Sequence, residues 1–510
     1  MTDRLEKARA CEAEATRRAG TDDRPLFHLT PPSGWLNDPN GFSYYQGRYH
    51  LFFQYYPYDT AWNDMHWGHA VSSDLLTWTY LPAALAPDEP YDADGCFSGS
   101  ALTLPGEEHF LMYTGVVREK VEGRERYRQR QCLAVGDGLN YRKYAGNPVL
   151  SEKDLPSDAD PYECRDPFLF RGNDGAYRCL LANADKAGRG RALLYKTTDP
   201  FDWSEKEEFQ KDRGRGRILT ADRSEPPLMW ECPSLVRIGQ DHVFLTGVMD
   251  LLPADHPAYR RRHTLYRIGH YDEEKETFRV ISEGLLDQGI DFYAPQVLTG
   301  PDGRVILTGW LQAGETTQTY RLPKAEWVGQ LALPRELFIR DGQLCQRPVR
   351  ETEKKQHDPI VFCSRTLDNE RVSLDGIRGR VMDLSLTIRP GAGCETFCLF
   401  LAEDRDRHTD LVYDVKAGQL ILDRSASGID PSGLSQSRAV LRRKAEGEDR
   451  SLDLRLILDR YSLEVFADGG RVVMSALIYT ELSAEGLSFL ARGRAEFDLI
   501  KYDLDGPKTV

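Results

Sequence analysis

Between residues 26 and 340 the apolar positions come in short runs, such as Tyr49-His50-Leu51-Phe52-Phe53-Gln54-Tyr55 and Arg304-Val305-Ile306-Leu307-Thr308-Gly309-Trp310, each cut off by Gly, Asp, Asn or Pro. Runs of this length, rich in aromatic and β-branched residues and bounded by turn formers, predict strands. Helical periodicity is clear only in the first twenty residues, where Leu5, Ala8, Cys11 and Ala15 recur every three or four positions and Gly20 offers a stop. That predicts a helical leader over 1–25. Around 341–357 the chain turns charged and turn-rich, with Glu351-Thr352-Glu353-Lys354-Lys355, and reads as a link. Beyond it, alternating runs such as Val381-Met382-Asp383-Leu384-Ser385-Leu386-Thr387-Ile388 and Leu452-Asp453-Leu454-Arg455-Leu456-Ile457-Leu458 predict an antiparallel β-sandwich over 358–510.

A longer period lies over the short one. Strand starts that carry unexpected polar residues fall at Asp38, Ser98, Asp166, Glu231 and Tyr293, spaced by 60, 68, 65 and 62 residues. Units of that size each hold four short strands, and five of them fit a five-bladed β-propeller over 26–340 whose first strands face one channel. The fold class expected is therefore all-β, a propeller followed by a sandwich.

Composition narrows the partners. The 510 residues carry a formal charge of -14, which repels phosphate backbones and anionic lipid, so neither nucleic acid nor a membrane surface is expected. The first twenty residues hold no continuous apolar stretch of the kind a secretory signal needs, and no later run approaches the roughly 18 apolar residues of a membrane span. A cytoplasmic protein is expected, with the leader or the sandwich offering a surface for a homodimer. The ten cysteines are scattered and fit free thiols better than a disulfide framework. Cys394 and Cys398 lack a second pair, and His66 and His69 sit on one predicted strand, so no metal is expected.

The candidate chemistry lies in three strings that share a carboxylate followed closely by proline: Trp35-Leu36-Asn37-Asp38-Pro39-Asn40-Gly41, Arg165-Asp166-Pro167 and Glu231-Cys232-Pro233. Taken singly, Asp38 is a good turn residue and Arg165-Asp166 an ordinary ion pair. Taken together on one axis they are a carboxylate set of the kind glycoside hydrolysis requires. Trp35, Gln54, Trp62, Trp67 and Trp310 would supply the planar faces and amides of a sugar pocket. The guanidinium of Arg165 predicts an ionised Asp166, and the apolar neighbours Leu228, Met229 and Trp230 predict a protonated Glu231.

These strings, with His28-Leu29-Thr30-Pro31-Pro32, Met65-His66-Trp67-Gly68-His69-Ala70, Phe97-Ser98-Gly99-Ser100, Asp291-Phe292-Tyr293-Ala294-Pro295-Gln296 and Leu333-Pro334-Arg335-Glu336-Leu337, resemble glycoside hydrolase family 32, the β-fructofuranosidases. The resemblance implies a retaining enzyme that splits the terminal β-D-fructofuranosyl bond of sucrose, sucrose 6-phosphate or short fructo-oligosaccharides, without a cofactor. It implies Asp38 as nucleophile, Asp166 as transition-state stabiliser and Glu231 as general acid/base. It places Asn37, Gln54, Trp62, Phe97, Ser98, Arg165, Tyr293 and Trp310 in the fructose subsite. Arg118, Arg124, Arg126, Arg128 and Arg130, or Arg260-Arg261-Arg262, would be the cations for a phosphate, although such runs are more often solvated loops. Two other readings stand beside this one: a related five-bladed propeller acting as an arabinosidase or xylosidase, and a sugar-binding propeller without catalysis.

Overall fold

The computed structural model describes residues 3–18, 24–106, 108–203, 217–221, 229–249, 262–311, 326–428, 435–441, 450–478 and 480–506. Apart from the leader helix Asp3–Arg18 and short 3-10 turns, the described chain is all-β. Gly20, expected to stop the leader, lies outside the described residues. No described helix is long and apolar enough to cross a membrane.

Among the described residues, seven sheets follow the leader. The first five are led by the strands Gly34–Tyr45, Gly95–Thr103, Ala159–Arg171, Trp230–Ile238 and Phe292–Thr299. These leading strands pack side by side in that order, and the last returns to the first. The short strand Trp327–Val328, which follows the fifth leading strand in the chain, pairs in parallel with Gly34–Tyr45 of the first sheet. The remaining two sheets, six strands each, face one another across a shared core that includes Leu384, Leu456 and Leu499 from one and Leu399, Leu411 and Phe489 from the other.

Each leading strand bulges by one residue relative to its neighbour beside its polar position: between Leu36 and Pro39, Phe97 and Gly99, Arg165 and Phe168, Glu231 and Ser234, and Tyr293 and Gln296; the first bulges again between Asn40 and Ser43 and the third between Ala159 and Cys164. A bulge is where a strand tolerates proline, because one residue there leaves the hydrogen-bond ladder. Pro39, Pro167, Pro233 and Pro295 fall at these bulges. Asp166, Cys232 and Ala294 take positive φ of 61°, 48° and 48° there, a strained conformation for side-chain-bearing residues and one that clusters at functional sites. Gly41, at φ 51°, needs to be glycine on two counts, since a Cβ would also sit 2.7 Å from the Phe52 ring.

The segment 341–357, expected as a link, is structured. Gln343–Pro348 pairs with Arg335–Arg340 as the last hairpin of the fifth sheet, because Asp341 and Gly342 adopt positive φ and make a tight turn between them. The charged run belongs to the 3-10 turn Arg350–Lys355, and the next strand begins at Gln356.

Two attachments frame the first five sheets. Leu5 and Ala8 of the leader pack on Ala83 and Ala86, and the Glu12 carboxylate accepts the Ala83 N–H at 2.9 Å. Burial pushes Glu12 up to about 7. On the other side, His28 bridges Asp459 and Glu464 at 2.8 and 2.9 Å, and Arg335 bridges Glu464 and Asp287 at 2.6 and 3.0 Å; all five side chains are shut off from solvent.

Candidate active site

The bulges turn Asp38, Ser98, Asp166, Glu231 and Tyr293 into one cavity of about 760 Å³, within the size range of small-molecule sites. All eleven residues expected in the site line it: Asn37, Asp38, Gln54, Trp62, Phe97, Ser98, Arg165, Asp166, Glu231, Tyr293 and Trp310. Trp67 does not. It is fully buried with its indole N–H on the Phe97 carbonyl at 3.0 Å, in a core cluster with Phe52, Leu85 and Tyr113.

The carboxylates are linked through few atoms. The Ser98 hydroxyl donates to Asp38 Oδ2 at 2.8 Å and the Asn37 amide to Asp38 Oδ1 at 3.1 Å. The Cys232 N–H donates to Asp166 Oδ2 at 2.9 Å, and the Cys232 thiol lies 3.6 Å from that oxygen and 3.8 Å from Asp38 Oδ2. Glu231 receives Arg165 at 2.8 and 3.2 Å on Oε1 and the Tyr293 hydroxyl at 2.6 Å on Oε2. Gly247, opposite Glu231 in the ladder, leaves the space this needs: a Cβ there would meet the Tyr293 hydroxyl at 2.7 Å.

The proton order differs from the one the sequence suggests. Burial raises Asp38 and the Glu231 charge adds to it. Asp166 is pushed up to about 7 by burial, with Arg165 only partly offsetting this and Glu231 and Asp38 adding to it. Glu231 is lowered: burial would raise it, but Arg165, Arg262 and the Tyr293 hydroxyl outweigh that. Two structural facts explain the reversal. Arg165 reaches past Asp166, at 4.0 Å, to Glu231 and to Glu163. Trp230, the supposed apolar flank, is on the other face of the strand, as alternation requires, where it packs on Phe244 in the core. Leu228 lies outside the described residues.

The aromatic rim comes from several elements. Trp35 and Trp310 lean together at 6.2 Å, and Trp62 meets Phe97 and Tyr127 edge-on at 5.9 and 6.1 Å. Glu125, Arg126, Tyr127 and Gln129 also line the cavity, from a long hairpin, His109–Val121 with Arg124–Gly136. Sequence reasoning missed Glu125, Tyr127 and Gln129, along with Tyr162, Glu163 and Met249, and named Arg126 and Arg262 only as cations for a phosphate. The i, i+2 spacing of Glu163 to Arg165, and of Tyr127 to Gln129, was the available signal. The arginine run expected as a loop is this hairpin, and four of its members are braced by carboxylates: Arg118 by Asp64 and Asp94, Arg126 by Asp160, Arg128 by Glu119 and Arg130 by Glu152. Arg124 is exposed near the hairpin turn. Of the second run, Arg260 and Arg261 lie outside the described residues, and Arg262 lines the cavity.

Carboxylates brought together in an aromatic-lined, sugar-sized cavity of an all-β chain define a glycoside hydrolase. The description "Glycosyl hydrolases family 32 N-terminal domain" matches residues 28–348, and "Glycosyl hydrolases family 32 C terminal" matches 349–503. The chain belongs to glycosyl hydrolase family 32. It is 34% identical to a raffinose invertase of Escherichia coli over 96% of this chain and 97% of that one. It is 31% identical to a sucrose-6-phosphate hydrolase of Zymomonas mobilis over 98% and 95%. Its fold matches that of a Bombyx mori family 32 beta-fructofuranosidase mutant in complex with sucrose, with a TM-score of 0.78, 29% identity and 98% of each chain covered.

Proposed function

We propose that the chain is a retaining β-fructofuranosidase that hydrolyses sucrose and related fructosides. The observation that carries this reading is the linkage of Asp38, Asp166 and Glu231 through Ser98, Cys232, Arg165 and Tyr293 inside one cavity. In the reaction an Asp38 oxygen attacks the fructosyl anomeric carbon while the glycosidic oxygen leaves with the proton of Glu231, giving a fructosyl-aspartate ester. Water then attacks the same carbon, giving its proton to Glu231 and releasing the Asp38 carboxylate. Asp166 accepts fructose hydroxyls and faces the positive charge that develops between these steps.

In the unliganded cavity burial raises Asp166 and Asp38, while Arg165, Arg262 and the Tyr293 hydroxyl lower Glu231. Sugar hydroxyls donating to Asp38 and Asp166 favour their ionised forms, and the reaction needs the proton on Glu231. Asn37, Gln54, Trp62, Phe97, Ser98, Arg165, Tyr293 and Trp310 form the subsite around it, and the reaction uses no cofactor.

The architecture proposed for this activity is a five-bladed propeller, supported by the circular packing of the five leading strands, followed by a sandwich. The boundary falls after Pro348, where the fifth sheet ends. Membership of family 32 argues against the arabinosidase or xylosidase reading, and a non-catalytic sugar binder has no use for strained carboxylate-bearing bulges. The test is fructose release from sucrose, sucrose 6-phosphate, kestose, inulin and levan. Binding of these sugars without release of fructose by the wild-type protein would overturn the reading.

A further inference from the structure

None of the described residues that line the cavity belongs to the two C-terminal sheets, yet one of their side chains is connected to it by a short, fully buried path. Arg424, at the end of the strand Gln419–Asp423, forms a bidentate ion pair with Asp291, its second contact at 3.2 Å, and both side chains are only 2% exposed. The same guanidinium donates to the Leu477 carbonyl at 2.9 Å, while the Leu477 N–H donates to Asp291 at 2.7 Å. The backbone leading to Asp291 lies along the strand Val472–Leu477: Gln288 donates to the Val473 carbonyl, and Ile290 and Asp291 both donate to the Ser475 carbonyl, at 2.7, 2.7 and 3.1 Å. Gly289 permits this approach, since a Cβ there would be 1.9 Å from the Ser475 nitrogen.

Two residues beyond Asp291 comes Tyr293, whose hydroxyl is on Glu231, and next the positive-φ Ala294. A strained residue of that kind holds its conformation only where its surroundings fix it on both sides. The ladder from Gln296 and Thr308 onward fixes one side; on the other, the pairs of Tyr293 with Trp310 and Phe292 with Leu311 hold the strand, and Asp291 anchors its start.

We propose that Arg424 is a positioning residue for the reaction: through Asp291 it sets the start of the Phe292–Thr299 strand, hence the Tyr293 hydroxyl, hence the orientation of Glu231. The C-terminal sheets are then a working part of the enzyme. This rests on Glu231 being the proton donor. Charged and titratable groups facing Glu231 are Arg165 and Asp166 from the third leading strand, Asp38 from the first, Arg262, and Tyr293; of these only Tyr293 is reached from Arg424.

The experiment compares Arg424→Lys, Arg424→Met, Tyr293→Phe and the double variant Arg424→Lys/Tyr293→Phe on sucrose, with Asp459→Asn as a buried junction control. Both Arg424 variants should lower kcat by about ten- to a hundredfold, the size of effect a small misplacement produces, with KM within about twofold. Weakening a donor to the Glu231 carboxylate favours its protonated form, so the alkaline limb of the kcat profile should move to higher pH in Tyr293→Phe and in the Arg424 variants alike. The double variant should be no worse than Tyr293→Phe within about twofold, because both changes act on one path. Asp459→Asn should lower Tm and leave the limb in place. Arg424→Lys that is folded by thermal melting, with wild-type kcat and limb, overturns the proposal, as do losses that multiply in the double variant. If Arg424→Met does not fold, Arg424→Lys decides. Full activity in Glu231→Gln would instead overturn the assignment on which the proposal rests.

Discussion

Two buried ionic clusters in this molecule use the same residue types to opposite ends. At the junction with the C-terminal sheets, carboxylates are saturated with donors. Glu464 receives His28, the Leu333 N–H and both arms of Arg335, and Asp459 receives His28 and the backbone N–H groups of Leu26 and Phe27. Burial there would raise Glu464, but Arg335 and His28 bring it down to about 2. In the cavity, Asp38 has one hydroxyl and one amide, Asp166 has a backbone N–H, and the two share the single Cys232 thiol. Both are raised. At the junction the donors outweigh burial, whereas at Asp38 and Asp166, with fewer donors, burial prevails. The unfilled lone pairs of the cavity are what a sugar's hydroxyls complete.

The sharpest way to break this contrast is to remove the charges of the cavity. Asp38→Asn and Glu231→Gln should each lose most fructose release, the latter by at least the 10²- to 10⁴-fold typical of general acid catalysis, while Asp38→Asn leaves Tm level or higher as its repulsion with Glu231 is relieved. A Tm drop as large as a junction variant's would make the cavity a structural cluster. The converse change, Glu464→Gln, takes away one partner of a buried pair and should cost about 3–5 kcal/mol in denaturant unfolding, with kcat per folded molecule retained.

A smaller effect comes from pH. His28 is opposed by burial but raised to about 9 by Asp459 and Glu464. Its stabilisation is fully present below the unfolded value of about 6.5 and is lost as pH rises through 9. The gap in unfolding free energy between wild type and His28→Gln should therefore shrink from pH 6 to pH 10; a gap that widens would mean that the imidazole is neutral. The smallest effect expected is at the rim. Trp62→Ala removes edge contacts with Phe97 and Tyr127 worth about 0.5–1.5 kcal/mol each, so KM for sucrose should rise a few-fold with kcat nearly unchanged.

Much of this site is legible along the chain because each leading strand repeats one local recipe, a polar residue and usually a proline at a fixed place. The strand pattern and the spacing from Asp38 to Tyr293 follow from it, whereas the placing of residues off the leading strands, such as Gln54, Trp62 and Trp310, in a fructose subsite comes from the resemblance to family 32. What is not legible is set by partners far apart in sequence. Arg165 and Glu231 are 66 residues apart, so nothing near either one shows that the guanidinium passes over its neighbour Asp166. Trp230 misleads because adjacency along a strand means opposite faces. The hairpin that contributes Tyr127 and Gln129 carries arginines that look like a solvated loop until their carboxylate partners are seen. The cluster of His28, Asp287, Arg335, Asp459 and Glu464 draws on five separate segments and has no linear signature.

The five bulges also determine how such a protein can change over time. A strand has a side-chain period of two, so losing a single residue anywhere in a leading strand reverses every face beyond it. Deleting one residue at Pro39, Pro167, Pro233 or Pro295 would therefore exchange cavity and core positions together, with no small intermediate step. Insertions and deletions are tolerated more easily in the outer strands and turns, away from these bulges. New sugar preferences must then arise by substitution within the leading strands or by lengthening hairpins such as the one that overhangs the cavity.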